Sequence, residues 1–337
     1  MKKGTAAALI LASLALILDS RCAADSAREA LALCAQTLVP SLFPLFVISG
    51  MLVPGLQGFR LPWLSKLLGL PRGAEGIWLL GAVGGFPVGA AAIGRAVQSG
   101  ALLKKDGERM LGLCSLCGPA FLFGVLPRLL PVEQVTAIFL LQWETGLLLG
   151  AFWPGRSEGT LSPTAGSVSL SEAVHRAIDS MLSVCAWVVL AGVSAGFLRR
   201  WLFSFLPAPC GTVLTGLLEL TSGIFSLPEQ NRFLLTALFV CFGGVSVLLQ
   251  IGGVSELPMG ICVFQKVLHG LLGLGGAWLY LRMGTAAFLL IPAPVFVKIM
   301  VEIQAGLVYN GRERKGSECC FEGKWSSPAS TAATARK

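Results

Sequence analysis

The chain has 337 residues, of which 54% are hydrophobic and 13% charged, with 41 glycines and two tyrosines. A soluble domain carries about 25% charged residues, so this composition excludes one and points to packed membrane helices, where small residues let backbones approach closely. The net charge of +8 resides in short loops and the tail, where loop orientation accounts for it without nucleic acid.

Of the ten cysteines, Cys34, Cys114, Cys117, Cys185, Cys210, Cys241 and Cys262 lie in apolar stretches, where cysteine behaves as a small hydrophobe. No disulfide framework is read from them. With only two histidines, no His-based metal site, catalytic triad or cofactor is expected.

In chain order, Lys2-Lys3 precede an apolar run from Ala6 to Leu18 that resembles a signal peptide. Ala23-Ala24 comes near a cleavage site without making a clean one, and the run is read as an uncleaved first helix. It is short against the roughly 17–25 residues of a full span. Spanning helices are expected at 5–18, 30–53, 110–127, 133–153, 177–198, 233–252, 257–281 and 285–308. The expected fold is thus all-α and polytopic, with eight spans and two re-entrant hairpins at 77–99 and 210–227.

The first hairpin follows from Gly81, Gly84-Gly85-Phe86-Pro87-Val88 and Gly89 in the middle of an apolar segment. Glycine and proline break a helix there, and a broken helix belongs inside the protein or beside a cavity. Charge agrees. Arg60, Lys66 and Arg72 precede the segment, and Lys104, Lys105 and Arg109 follow it. Re-entry puts both basic loops in the cytoplasm, as the positive-inside rule prefers. The N-terminus and the tail, with six basic and three acidic residues, then also lie inside. One conflict is Arg199-Arg200, which falls outside.

The chain divides into 1–29, a first helix and loop; 30–153, a first half; 154–171, a Gly/Ser/Pro/Thr-rich linker; 172–309, a second half; and 310–337, a polar tail read as disordered. The halves read as a faint inverted repeat of the kind secondary transporters use. The segment from Ser41 matches that from Ser180, Gly84 to Pro87 matches Leu220 to Gly223, and Gly118-Pro119 matches Gly243-Gly244. Chance likeness between glycine-rich apolar segments is the alternative.

Gly85-Phe86-Pro87-Val88-Gly89-Ala90 resembles the Ser-Gly-Tyr-Pro-Met-Gly-Ala motif of the sporulation integral membrane proteins of the YlbJ type, which carry paired nucleoside-recognition ("Gate") domains. Leu102 to Leu111, Pro119-Ala120-Phe121, Leu218 to Gly223 and Gly244 to Gln250 resemble further stretches in the same order, across residues 30–308. The resemblance implies a relative of concentrative nucleoside transporters that passes a small planar anion such as dipicolinate, in the cell membrane or a forespore membrane. It implies solute and lipid bilayer as partners, with homo-oligomers left open. Two departures stand out. Where the family reads Asn-Asn-x-Ser-Pro, this chain reads Ser115-Leu116-Cys117-Gly118-Pro119. The family's lysine after Gly-Ala is Ala91 here, with Arg95 one turn on.

The broken segments and the resemblance together make Gly85, Phe86, Pro87, Gly89, Arg95, Ser115, Pro119, Glu219, Ser222, Gly223, Gly244, Ser246 and Gln250 the candidate solute-binding residues. Val88 to Ala92 opens a half-helix whose free N–H groups suit an anion, unless it is a kink that only packs closely. Glu219 lies alone at membrane depth and holds a coupling cation, a proton or an arginine. Arg95 either reaches back to the hairpin tip or snorkels to the surface. Lys298/Glu302, Glu172/Arg176 and His175/Asp179 have the spacing of helical ion pairs. Cys114-x-x-Cys117 lacks the further ligands or the electropositive setting of zinc or redox chemistry. Three functions remain open: a solute transporter or channel, a non-transporting assembly factor on the same fold, and a membrane thiol oxidoreductase, which lacks a catalytic constellation.

Overall fold

The computed structural model describes residues 3–56, 59–153, 157, 159–161 and 168–284. The expected span 285–308, the pair Lys298/Glu302 and the tail lie outside them, as does most of the linker. Among the described residues every element is helical, with one isolated bridge between Arg72 and Thr160.

Helix α1 covers Lys3–Leu18 and α2 Ser20–Leu33; a π turn at Cys34–Leu38 leads into α3, Val39–Leu56. Then come α4 (Pro62–Leu68), α5 (Glu75–Gly84), α6 (Val88–Gln98), α7 (Lys104–Cys114), α8 (Pro119–Val125) and α9 (Val132–Phe152). Beyond the linker follow α10 (Leu170–Trp201), α11 (Ala208–Leu218), α12 (Leu220–Phe225), α13 (Arg232–Phe242), α14 (Gly244–Ser255) and α15 (Gly260–Met283).

Among the described residues six helical stretches are long and apolar enough to cross a membrane: Ser20–Ile48, Lys104–Arg128, Val132–Phe152, Leu170–Phe205, Glu229–Ser255 and Gly260–Met283. The chain is therefore an all-α integral membrane protein. The expected first span is formed as α1, of 16 residues. The Ser20–Ile48 and Leu170–Phe205 stretches are the least buried of the six. They pack on each other where a Cβ on Gly192 would sit 3.0 Å from the Ala30 Cβ, and one on Gly196 would meet Ser26. These two glycines, one turn apart, make the close approach that small residues permit. At one end of this pair Arg200 binds Asp19 at 2.8 Å and Arg199 lies 3.7 Å from Glu29. The two arginines that conflict with the charge rule thus have carboxylate partners.

Helices α5 and α6 form a hairpin. Residues eight apart in a straight helix lie about 12 Å apart. Here a Cβ on Gly89 would come within 2.8 Å of Gly81 Cα, so the chain has turned back at Gly85-Phe86-Pro87. Gly85 takes φ 73°, open to glycine. Nine of the ten α5 residues are buried, which places the break inside the protein, as its unpaired backbone requires. The second hairpin joins α11 and α12, with Gly223 against Gly216. Its turn is at Glu219, inside the stretch Leu218 to Gly223.

Both loops that flank the first hairpin meet at the same end. The Arg109 guanidinium donates to Gly69 O at 2.8 Å and Leu68 O at 3.1 Å. Ser157 bridges them, donating to Asp106 at 2.8 Å through its hydroxyl and to Gly69 O at 3.1 Å through its N–H. Single cysteines at positions 66 and 104 of a cysteine-free variant are therefore expected to react with an impermeant maleimide from the same side of the membrane. Labelling from opposite sides would mean that 77–99 crosses.

Candidate functional site

Two of the spanning stretches are broken. Helix α7 ends at Cys114, residues 115–118 run extended, and α8 starts at Pro119. Helices α13 and α14 part at Gly243 and Gly244, whose φ values of 91° and 83° suit glycine alone. Each break receives a hairpin tip. The Phe86 N–H donates to Leu116 O at 2.9 Å, and a Cβ on Gly85 would stand 2.6 Å from Gly118 N. A Cβ on Gly244 would stand 3.3 Å from Leu220 N in the second tip.

The two tips, the two breaks and the long helices enclose one cavity of about 480 Å³, mouth included. The first hairpin contributes Gly84, Gly85 and Phe86; the first break and α8 contribute Cys117, Gly118 and Phe121. The second hairpin contributes Glu219, Leu220 and Thr221, and α14 contributes Ser246, Val247 and Gln250. Leu38 and Leu42 close one side, Val184 and Val188 of α10 the other.

Its polar groups are few. The Glu219 carboxylate accepts from Thr221 N at 3.0 Å and Ser222 N at 2.5 Å, so it caps α12; no arginine faces it. The Ser246 hydroxyl, on a residue 1% exposed, has no hydrogen-bond partner. Gln250, on the same face one turn on, is 4% exposed. Helices α6 and α14 both begin at the cavity, and each N-terminus carries about half a positive charge. Together they roughly offset the single charge of Glu219.

A second cavity of about 410 Å³ is lined by Phe46 and Gly50 of α3, Val88, Ala91 and Arg95 of α6, and Arg176, Ala177 and Ser180 of α10. Helix α10 runs past both cavities: Val184 and Val188 line the first, and Arg176, eight residues or about 12 Å from Val184, lines the second. Arg176 also pairs with Glu172, as its spacing predicts. His175 and Asp179 form no such pair among the described residues.

Of the thirteen candidate residues, Gly85, Phe86, Glu219, Ser246 and Gln250 come together in the central cavity. Arg95 lines the second cavity instead. Pro87, Gly89, Ser222, Gly223 and Gly244 shape the tips and the second break without lining the cavity. Ser115 and Pro119 bound the first break; Ser115 points its carbonyl away, at Lys266.

Sequence reasoning missed what holds that break. The Gln142 side chain accepts from Cys117 N at 3.0 Å and donates to Cys117 O at 2.8 Å. Lys266, fully buried, donates to Ser115 O at 3.0 Å and lies 3.5 Å from His269 Nδ1. His269 Nε2 is 2.9 Å from Gln142 O. The signal was present: Gln142, Lys266 and His269 are polar residues inside apolar spans, and such residues mark sites by default. Cys114 and Cys117 are both fully buried, and no group of three metal-ligating side chains occurs among the described residues.

Compared with models of known families, with curated proteins and with solved structures, the chain gives no match.

Proposed function

We propose that the protein is a transporter or facilitative channel for a small planar solute, held in the central cavity between the two hairpin tips. One observation carries this reading: both tips and both helix breaks converge on one pocket. Discontinuous helices are expensive in a membrane and are tolerated where they line a cavity. The two sets of long helix, hairpin and broken helix read as the halves of an inverted repeat. With the expected span at 285–308 the count becomes eight spans and two re-entrant hairpins, and both termini are cytoplasmic. The resemblance to YlbJ-type membrane proteins supports the same reading and adds a sporulation membrane as its setting.

The lining favours a nucleoside-like solute. Ser246, Gln250 and Thr221 supply hydroxyl and amide groups, Phe86 and Phe121 supply aromatic faces, and the centre is close to neutral. A dianion would meet Glu219 there without a basic side chain. A second observation favours the dipicolinate-like reading: Arg95 and Arg176 line the second cavity, and Arg95, unlike Arg176, has no carboxylate within ion-pair distance among the described residues, so that cavity would draw in an anion.

Thermal shift in detergent and flux in proteoliposomes, with uridine, adenosine and dipicolinate as probes, separate the two. Uridine or adenosine is expected to raise the melting temperature, and Gln250→Ala is expected to weaken that binding about tenfold, as losing a hydrogen bond of 1–1.5 kcal/mol does. Dipicolinate flux that falls in Arg95→Gln would establish the anion instead. No binding and no flux for any probe would favour the assembly-factor reading.

A further inference from the structure

Lys266 is the one fully buried lysine among the described residues, and its surroundings are unusual. Among these residues no carboxylate oxygen lies within ion-pair distance of it. A buried cation normally has such a partner. Its stem passes the second break, with Cε 3.8 Å from where a Cβ on Gly243 would stand. Its amine ends at the first break, on Ser115 O. One side chain thus touches both discontinuities that shape the central cavity.

The hydrogen bonds define the amine's valence. Gln142 O is a carbonyl and only accepts, so His269 Nε2 carries the proton of that 2.9 Å bond. In the neutral imidazole Nδ1 is then an acceptor, and it faces Lys266. Lys266 therefore meets two acceptors, Ser115 O and His269 Nδ1. A neutral amine has two N–H donors and satisfies both. An ammonium has a third N–H with no partner here. The Ser115 hydroxyl, buried and without a partner, belongs to the residue whose carbonyl Lys266 already holds. The other titratable groups facing Lys266 are thiols: Cys262 on its own helix, Cys241 on α13 and Cys117 at the first break. Cys117 also lines the central cavity, so one residue borders both the amine and the cavity.

Backbone carbonyls at unwound helix segments are where transporters of this architecture hold a coupling cation. Here the carbonyl is held by an amine on the chain itself. We propose that Lys266 is a proton site coupled to solute occupancy of the central cavity, standing in the place of a free metal cation. It rests on the reading of that cavity as a solute site. The third N–H of the protonated amine takes the Ser115 hydroxyl and shifts the first break, whose Cys117 and Gly118 form the cavity wall. Proton and solute binding thereby move the same backbone.

The test is uridine uptake into proteoliposomes under an inward proton gradient, an inward sodium gradient, or neither. For the parent chain, uptake is expected to rise with the proton gradient, to lose that rise with a protonophore, and to ignore sodium. In Lys266→Gln the ratio of driven to undriven uptake falls to one. Should that variant not assemble, Ser115→Ala, which keeps the carbonyl and removes only the third acceptor, must lower the same ratio. Uptake that follows sodium, or a proton response intact in Ser115→Ala, overturns the proton site and leaves the solute reading standing. Absence of uridine uptake under all three conditions overturns both.

Discussion

Gly89→Val is expected to abolish assembly of the protein, with loss of the monodisperse peak in detergent. A Cβ at this position would run into the carbonyl oxygen of Cys114 and lie 2.8 Å from Gly81 Cα. Both obstacles are backbone. Neither can swing aside as the end of a flexible side chain would. Overpacking an adaptable core costs about 1–3 kcal/mol; where two helices and a third chain segment must separate, the loss is larger, against a net stability of roughly 5–15 kcal/mol. The same clash at Gly81, whose Cβ would meet Cys114 O as well, makes Gly81→Val equally severe. Gly275→Val is the matched control. It places the same β-branched residue in a helix, at a position where a Cβ meets nothing within 4 Å, and its melting temperature should stay within a few degrees of the parent's. A Gly89→Val variant as stable as Gly275→Val would remove the three-way backbone contact between α5, α6 and the end of α7.

That contact also shows how far the sequence could be read. The glycines and Pro87 announced a break, because no apolar helix tolerates that density of them, and the chain does turn back there. The spans at 133–153 and 257–281 were legible within three residues, since length and hydropathy alone define them. Helix α2 was not: its Ser, Arg and Asp content hides a helix that continues into α3, held by contact with Gly192 and Gly196 of α10. The second tip falls inside Leu218 to Gly223, but nothing local says that Glu219 will cap α12 with its own carboxylate. The central cavity was half legible. Gly85, Phe86, Glu219, Ser246 and Gln250 meet there, whereas Cys117, Gly118 and Thr221 owe their places to how the tips seat in the breaks. Helical spacing left Arg95 open between the tip and the surface, and tertiary packing sets it in the second cavity with Arg176.

Gln142→Leu is expected to be the most damaging change among the polar residues, and it tests whether the first break is a built structure. Residues 115–118 leave the helix, so their N–H and C=O groups lose helical partners. Gln142 alone returns two of them, binding Cys117 N–H and Cys117 C=O with its two amide ends. The orientation of the amide follows from the partners, since an N–H must meet the oxygen and a carbonyl the nitrogen. Gln142 is fully buried, so water cannot replace it. Leucine keeps most of the volume and leaves both backbone groups unpaired. At about 1–3 kcal/mol for each, the loss is roughly 2–6 kcal/mol, a large share of the whole stability. Gln142→Glu separates the two bonds. An ionised carboxylate still accepts from Cys117 N–H and has nothing to donate to Cys117 O, so this variant should fall between the parent and Gln142→Leu in melting temperature. His269 binds the backbone oxygen of Gln142 rather than its side chain, and that contact survives both changes. The decisive comparison is with Thr145→Val, one turn on in α9. The Thr145 hydroxyl bonds back to Leu141 O and, more weakly, Gln142 O in its own helix, and its removal should lower the melting temperature little. If Gln142→Leu is as mild as Thr145→Val, the extended segment does not depend on Gln142, and the cavity wall formed by Cys117 and Gly118 must be held by the hairpin tip and by Lys266 on Ser115 O.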